Sequence, residues 1–315
     1  MITVSVPDSA VADAIGDLGD GARVIVWDPK QGDVPEAERD RVNIACIAHL
    51  SGGRTVYNRM GACPNLAVIQ IPSAGYEHAA PFVPEGIALA NARGVHDTRT
   101  AEFAITLALA SQRGLPHVLD AQRRGKWEPY VLSPSLADRK ALVVGYGSIG
   151  AAIGSRLRAM EAEVEGVATT ARTASDGTVV HAIADIHSVL PSAELVFMVL
   201  PHNNATDKLV DTKFLAAMPD DALLINVGRG ACVDTDALVA ELESGRLRAG
   251  LDVTDPEPLP EGHPLWSAPG VIIAPHIAGF NQLTDRRYAN LVRAQVRALL
   301  AGEDSVNIVV TGGQA

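Results

Sequence analysis

Arg229, Glu257 and His276 are the residues whose types and positions could do chemistry. Each follows a short apolar run of the kind that forms a buried strand. Arg229 lies in Gly228-Arg229-Gly230, after Leu223–Val227. Glu257 lies in Asp255-Pro256-Glu257-Pro258, soon after Leu251–Val253, and His276 follows Val271–Ala274 and Pro275. Taken singly, each has an ordinary explanation: a turn arginine, a solvated glutamate, a hydrogen-bonded structural histidine. Together they suggest more. Ligands of α/β sheets bind beyond the carboxyl ends of parallel strands, so groups at successive strand ends can converge. An arginine there can clamp a planar anion, and a glutamate beside a histidine makes an acid/base pair.

The element that gives such a set a partner is Arg139–Gly150, RKALVVGYGSIG. Ala141–Val144 reads as a buried parallel strand and Ala151–Met160 as a helix. Gly145, Gly147 and Gly150 between them keep the G-x-G-x-x-G spacing. In a dinucleotide-binding turn the first glycine permits the tight bend and the second lets backbone approach a pyrophosphate. The third lets helix pack on strand, and the helix N-terminus offers N–H groups to phosphate. The spacing alone also suits a ligand-free strand-to-helix connection. The strand before it and the helix after it favour dinucleotide binding.

Which dinucleotide depends on the end of the next strand, where an NAD site carries Asp or Glu for the ribose 2′-OH. Here the chain reads Val164-Glu165-Gly166-Val167-Ala168-Thr169-Thr170-Ala171-Arg172. The acidic position falls near neutral Ala168. Thr169 and Arg172 become cofactor-binding candidates, because arginine can pair with a 2′-phosphate. NADP(H) is therefore favoured, with NAD(H) possible; the alternative is a solvated Arg172 and acceptance of both.

The rest of the chain alternates strands with helices. Strands are expected at Ile2–Val6, Val24–Trp27, Asn43–Ile47, Leu66–Ile71 and Ile87–Asn91, with helices at Ser9–Leu18 and Thr55–Cys63, giving a first α/β domain. Its ligand-facing loops are His49–Gly53, Ser73–Tyr76 and the turn after Trp27. Thr98–Gln112 is an almost uncharged, alanine-rich helix that should be buried. Pro116–Gly125 is another helix, followed by a loop carrying Trp127 and Tyr130. Beyond the glycine turn, strands two to six are expected at Val164–Thr169, Leu195–Leu200, Ala222–Val227, Leu247–Val253 and Val271–Ala274. A helix runs over Asp236–Ser244 from the Asp234/Thr235 cap, and an amphipathic helix over Asp285–Ala301.

Composition excludes several classes. With 315 residues, 47% hydrophobic and 20% charged, the chain can build two globular domains. A net charge of −11 offers no basic surplus for a nucleic-acid backbone. No signal peptide or bilayer-length apolar stretch is visible, so no membrane partner is expected and the location is read as cytoplasmic. Cys46, Cys63 and Cys232 lack metal or redox spacing and read as buried thiols. The remaining histidines show no metal-ligand spacing, and no metal is expected.

The motifs together resemble the D-isomer-specific 2-hydroxyacid dehydrogenase family over nearly the whole length. The likeness runs through Ser73–Tyr76, Asn91–Val95, Thr100–Glu102, Gly145–Gly150, Leu200-Pro201, Ile225–Gly230, Leu251–Pro258 and Pro275–Gly279. It implies two doubly wound parallel-sheet α/β domains: a flavodoxin-like substrate domain (1–96 plus 283–315) and a Rossmann dinucleotide-binding domain (97–282). It implies that Arg229 grips the substrate carboxylate and carbonyl oxygen, that His276 is the general acid/base and substrate contact, and that Glu257 is its partner. Ala74 and Gly75 match a loop whose N–H groups meet the carboxylate. Thr100, Ser148, Ile149, Pro201, Val227, Gly228 and Asp252 match cofactor contacts. The implied activity is NAD(P)-dependent hydride transfer on a small 2-hydroxy/2-oxo acid, with glyoxylate or hydroxypyruvate expected, by a homodimer. Alternatives are a related formate or phosphite dehydrogenase and a non-catalytic dinucleotide-sensing regulator.

Overall fold

In a computed structural model of the protein, residues 1–48, 52–129, 133–279 and 284–313 are described. The expected loop residues His49 and Ser51, and Tyr130, lie outside them. Two compact units are present: Met1–His96 with Asn281–Ala315, and Asp97–Phe280.

The first unit begins β1 (Ile2–Val6), α1 (Ser9–Ile15), β2 (Ala22–Val26), β3 (Val42–Cys46), α2 (Arg54–Gly61), β4 (Val68–Gln70) and β5 (Ala88–Ala90). The second contains α3 (Asp97–Gln112), α4 (Leu115–Arg123), β6 (Lys140–Val144), α5 (Ser148–Ala159), β7 (Glu163–Ala168), β8 (Arg172–Thr173) and β9 (Val179–Ala182). It continues with α6 (Ile186–Val189), β10 (Leu195–Met198), α7 (Thr212–Ala217), β11 (Leu223–Asn226), α8 (Thr235–Glu243), β12 (Arg248–Leu251) and β13 (Val271–Ile273). The chain then returns to the first unit as α9 (Thr284–Ala301) and β14 (Ile308–Thr311).

Sheet order in the first unit is β14-β5-β4-β3-β1-β2, parallel except for β14, which runs antiparallel to β5. In the second unit it is β13-β12-β11-β10-β6-β7-β9-β8, parallel except for β8. Both are doubly wound α/β sheets, and the second has the Rossmann order with its reversal beside β6. The apolar runs explain the layering. Along β6 and β10, alternate residues feed two cores: Leu142, Val144, Val196 and Met198 on one face, and Ala141, Val143, Leu195 and Phe197 on the other. A sheet covered on both faces needs such continuous apolar strands. α3 supplies Ala104, Ile105, Leu107 and Ala108 to the second of these cores. Gly250 makes room for it: a Cβ there would lie 2.6 Å from Ile225 Cδ1 and 3.1 Å from Leu107 Cβ. Asp211 and Asp234 cap α7 and α8 by accepting from Phe214 N at 2.8 Å and Ala237 N at 3.2 Å.

The structure corrects the expected strand count. Val179–Ala182 forms a third parallel strand next to β7, so Leu195–Met198 is the fourth and later strands move up by one. It is short and partly exposed, which hid it from an apolar-run criterion. β14 and helices α6 and α7 likewise have no counterpart among the expected elements; the helices have only four and six residues. Cys46, Cys63 and Cys232 are all buried. Among the described residues no helix is long and apolar enough to cross a membrane.

Candidate active site

Strands β11, β12 and β13 lie side by side in the second unit, and their carboxyl ends carry Arg229, Glu257 and His276. Neighbouring strands are about 4.8 Å apart, so the three loops start within roughly 10 Å of one another. Two of them meet directly: His276 Nδ1 lies 2.5 Å from Glu257 Oε1. Both side chains stay open to solvent, at 45% and 41% exposure, so a small substrate can reach the ring. The carboxylate engages Nδ1 and leaves Nε2 on the far side of the imidazole, outside that contact.

His276 takes a left-handed backbone, φ 53°, which a non-glycine residue adopts at a cost of order 1–3 kcal/mol. Asp252 holds it there. The backbone N–H of His276 donates to Asp252 O at 2.8 Å. The buried Asp252 carboxylate accepts from Ile277 N at 2.7 Å and from Ala278 N at 3.0 Å. Burial raises the Asp252 pKa above the usual carboxylate value, against the lowering effect of those two N–H groups and of His276. The sequence suggested Asp252 only as a cofactor contact; its carboxylate braces the loop of His276.

Glu257 sits between two cis peptide bonds, Asp255-Pro256 and Glu257-Pro258. Its loop is pressed against that of Arg229. A Cβ on Gly230 would stand 1.9 Å from Thr254 O, and one on Gly228 would stand 2.8 Å from Leu200 O, so glycine alone fits at both. Asn226, fully buried at the end of β11, stitches this loop: its Oδ1 accepts from Gly228 N and its Nδ2 donates to Arg229 O, both at 3.0 Å. A buried asparagine closing an apolar strand was the signal available for it. The half-buried Arg229 donates from Nη1 to Gly228 O at 2.7 Å.

The glycine turn fits a phosphate group. Gly145 has φ 104° and would clash through a Cβ with Val199 O at 2.6 Å; a Cβ at Gly150 would meet Gly145 O at 2.3 Å. Gly147, by contrast, is exposed and faces open space, where a Cβ would have nothing within 4 Å. Among the described residues no side chain caps α5, so the first N–H groups, from Ser148 and Ile149 onward, point out of the helix toward this space. Past the end of β7, Thr169 is exposed and no carboxylate stands at Ala168. Arg172 reaches back to the glycine turn, donating from Nη2 to Tyr146 O at 2.7 Å.

The other expected residues are more scattered. Thr100 is buried in α3, Pro201 is exposed after β10, and Val227 and Gly228 are buried after β11. Ala74 and Gly75 belong to the first unit, where Asn91 Nδ2 donates to Ala74 O at 2.6 Å and Ser73 Oγ to Gly75 O at 2.7 Å. Other histidines have structural partners: His96 with Pro72 O, His181 with Glu165 and His202 with Asp207.

A Rossmann unit with a histidine–glutamate pair and an arginine at its carboxyl edge is an arrangement suited to a dinucleotide-dependent oxidoreductase. A family model described as "D-isomer specific 2-hydroxyacid dehydrogenase, NAD binding domain" matches residues 105–278. A glyoxylate reductase of Thermofilum pendens is 32% identical over 288 residues, covering 88% of this chain and 84% of that one. The crystal structure of a D-isomer specific 2-hydroxyacid dehydrogenase from Xanthobacter autotrophicus Py2, in complex with NADPH and MES, is 28% identical. It aligns over 98% of both chains with a TM-score of 0.84. An NADPH-dependent glyoxylate/hydroxypyruvate reductase of Sinorhizobium meliloti, in complex with NADP and malonate, aligns over 98% of this chain and 96% of that one. Its identity is 28% and its TM-score 0.73. The chain belongs to the D-isomer specific 2-hydroxyacid dehydrogenase family.

Proposed function

We propose that the protein reduces small 2-oxo acids of the glyoxylate and hydroxypyruvate type to 2-hydroxy acids, with NADP(H) favoured and NAD(H) possible. The observation that carries this is the His276–Glu257 contact of 2.5 Å at the sheet edge that also bears Arg229. The dinucleotide is assigned to the Gly145, Gly147, Ser148, Ile149 and Gly150 turn for its pyrophosphate, and to Thr169 and Arg172 for its 2′-phosphate. Thr100, Pro201, Val227, Gly228 and Asp252 are assigned the remaining cofactor contacts. When bound, the nicotinamide supplies the hydride that the carbonyl carbon accepts.

The chain's own residues do the rest. Arg229 binds the planar substrate carboxylate bidentately and polarises the carbonyl oxygen, which a lysine would do less well. His276 delivers a proton from Nε2 to that oxygen as negative charge develops, and Glu257 holds the ring by Nδ1. Asp252 keeps the His276 backbone in place. Ala74 and Gly75 are assigned backbone N–H contacts to the substrate carboxylate. In this reading Met1–His96 with Asn281–Ala315 is the substrate domain and Asp97–Phe280 the dinucleotide domain.

A cytoplasmic homodimer is the form we assign. Leu115, Val118 and Leu119 of α4 are 43–51% exposed and the nearby Trp127 is fully exposed, an apolar surface that suits a second copy. The deciding experiment is a spectrophotometric panel of glyoxylate, hydroxypyruvate, larger 2-oxo acids, formate and phosphite with NADPH and NADH in parallel. Turnover of the two small 2-oxo acids, with higher kcat/KM for NADPH, is expected. Oxidation of formate or phosphite alone, or cofactor binding with no turnover, overturns the proposal.

A further inference from the structure

Tyr146 occupies the second position of the glycine turn, yet its side chain is 2% exposed and points away from the open space over Gly147. The ring passes between α5 and β7. It can do so because both neighbours are glycine: a Cβ at Gly154 would lie 2.6 Å from the Tyr146 hydroxyl, and one at Gly166 would lie 2.6 Å from the ring. At its far end the hydroxyl meets the hairpin of β8 and β9. It donates to Asp176 Oδ2 at 2.8 Å and lies 2.8 Å from Thr178 Oγ1. Arg158, from the last turn of α5, donates to the same two groups, to Asp176 Oδ2 at 2.6 Å and Thr178 Oγ1 at 2.7 Å. Burial opposes ionisation of Asp176, but hydrogen bonds from Thr178, Tyr146 and Arg158 hold its carboxyl well below the usual carboxylate range.

Arg172 stands on the first strand of that hairpin and donates to the backbone carbonyl of the same Tyr146. One residue therefore fixes the hairpin at two points, by its carbonyl at Arg172 and by its hydroxyl at the Asp176-Gly177 turn. A guanidinium on a two-residue strand would otherwise sample many positions, and a bidentate phosphate contact needs a fixed fork.

We infer that Tyr146, Asp176, Thr178 and Arg158 form a clasp that positions Arg172 for the adenosine 2′-phosphate and so sets the preference between NADP(H) and NAD(H). The buried tyrosine ring and the hairpin turn do this as positioning residues. The inference rests on the NADP(H) reading above.

The test is isothermal titration calorimetry of the full chain with NADP+, NAD+ and adenosine 2′,5′-bisphosphate. Tyr146→Phe should weaken NADP+ and the bisphosphate about five- to tenfold, the net worth of about one hydrogen bond, and NAD+ less than about twofold. Asp176→Asn, which keeps size and fold but removes the ion pair, should shift the same two ligands in the same direction. Steady-state kinetics should show KM for NADPH rising in both variants with kcat unmoved. Arg172→Ala separates the two readings. If it weakens NADP+ selectively while Tyr146→Phe and Asp176→Asn, both folded, change nothing or weaken both nucleotides equally, the clasp is wrong and the cofactor reading stands. If Arg172→Ala leaves NADP+ binding intact, the 2′-phosphate assignment falls and the clasp falls with it.

Discussion

Gly230→Ala is the perturbation for which the structure yields a magnitude. The Cβ it introduces would stand 1.9 Å from Thr254 O and 2.1 Å from Thr254 C. Both are backbone atoms, so no side-chain rotation can relieve the overlap. Real Cβ contacts do not go below 3.0 Å, and the two loops must therefore part by about 1 Å, the scale of misplacement that costs about 10²-fold in rate. One loop carries Arg229 and the other leads to Glu257, so the separation acts on the anion clamp and on the partner of His276 together. We expect kcat/KM for glyoxylate with NADPH to fall about 100-fold, with a smaller loss of NADP+ affinity, since the Gly145–Gly150 turn is untouched while the Val227–Gly228 contact shifts with the loop. Overpacking also costs about 1–3 kcal/mol of stability, visible as a melting point lower by several degrees. The assays are steady-state kinetics, calorimetric NADP+ binding and thermal denaturation. A folded Gly230→Ala variant with near-normal kcat/KM would refute the claim that close packing of these loops sets the active geometry.

Other expectations follow from single contacts. His276→Ala should lower turnover of 2-oxo acids by about 10³-fold or more with NADP+ binding nearly intact, and Glu257→Gln by about 10²-fold, checked by kcat and calorimetry. Asp176 has a folded-state pKa depressed below its ordinary 3.8. Its contribution to stability is thus present above pH 3.8 and lost as pH falls through the depressed value. Melting curves between about pH 2 and 5 should show a smaller acid loss in Asp176→Asn than in wild type; equal slopes would remove the clasp's ionic component. Burial pushes the Cys46 thiol up to about 12, and Cys63 and Cys232 are also buried. Ellman's reagent should therefore titrate no thiol in the folded protein and all three after unfolding in guanidinium, and rapid reaction in the native state would contradict the packing.

The sequence disclosed what depends on runs and spacing. Apolar strands such as Leu223–Asn226 and the glycine spacing are patterns within a dozen residues, and Arg229, Glu257 and His276 each follow their own apolar run within a few residues, so each is visible without a fold. What stayed hidden depends on chain segments meeting. Tyr146 reads as filler inside a glycine motif, because its hydroxyl partners stand at 176 and 178. Asp252 enters from the resemblance only as a cofactor contact, and only the structure shows its carboxylate accepting from Ile277 and Ala278. The β8–β9 hairpin had a local cue in Asp176-Gly177 followed by Thr178-Val179-Val180, but strands of two and four residues half open to solvent carry little hydrophobic signal. β14 follows the last helix and pairs with a strand more than two hundred residues earlier, which no local pattern encodes.

That last pairing bears on how the chain is made. One core of the first unit is drawn from two distant stretches: Val4, Val6, Ile15, Ile44 and Cys46 from the start, and Tyr288, Ala289, Val292 and Val296 from α9. The buried Gln295 joins Gln70 at 3.0 Å and Val306 N at 2.7 Å, and β14 covers the edge of β5. On the ribosome the first ninety-odd residues emerge with half a core and an open strand edge, and wait for the whole second unit to be synthesised before their partners arrive. An apolar surface and an unpaired edge are the features that aggregate. The closing residues 284–313 thus complete both the core and the sheet edge of the first unit, far in sequence from the chemistry.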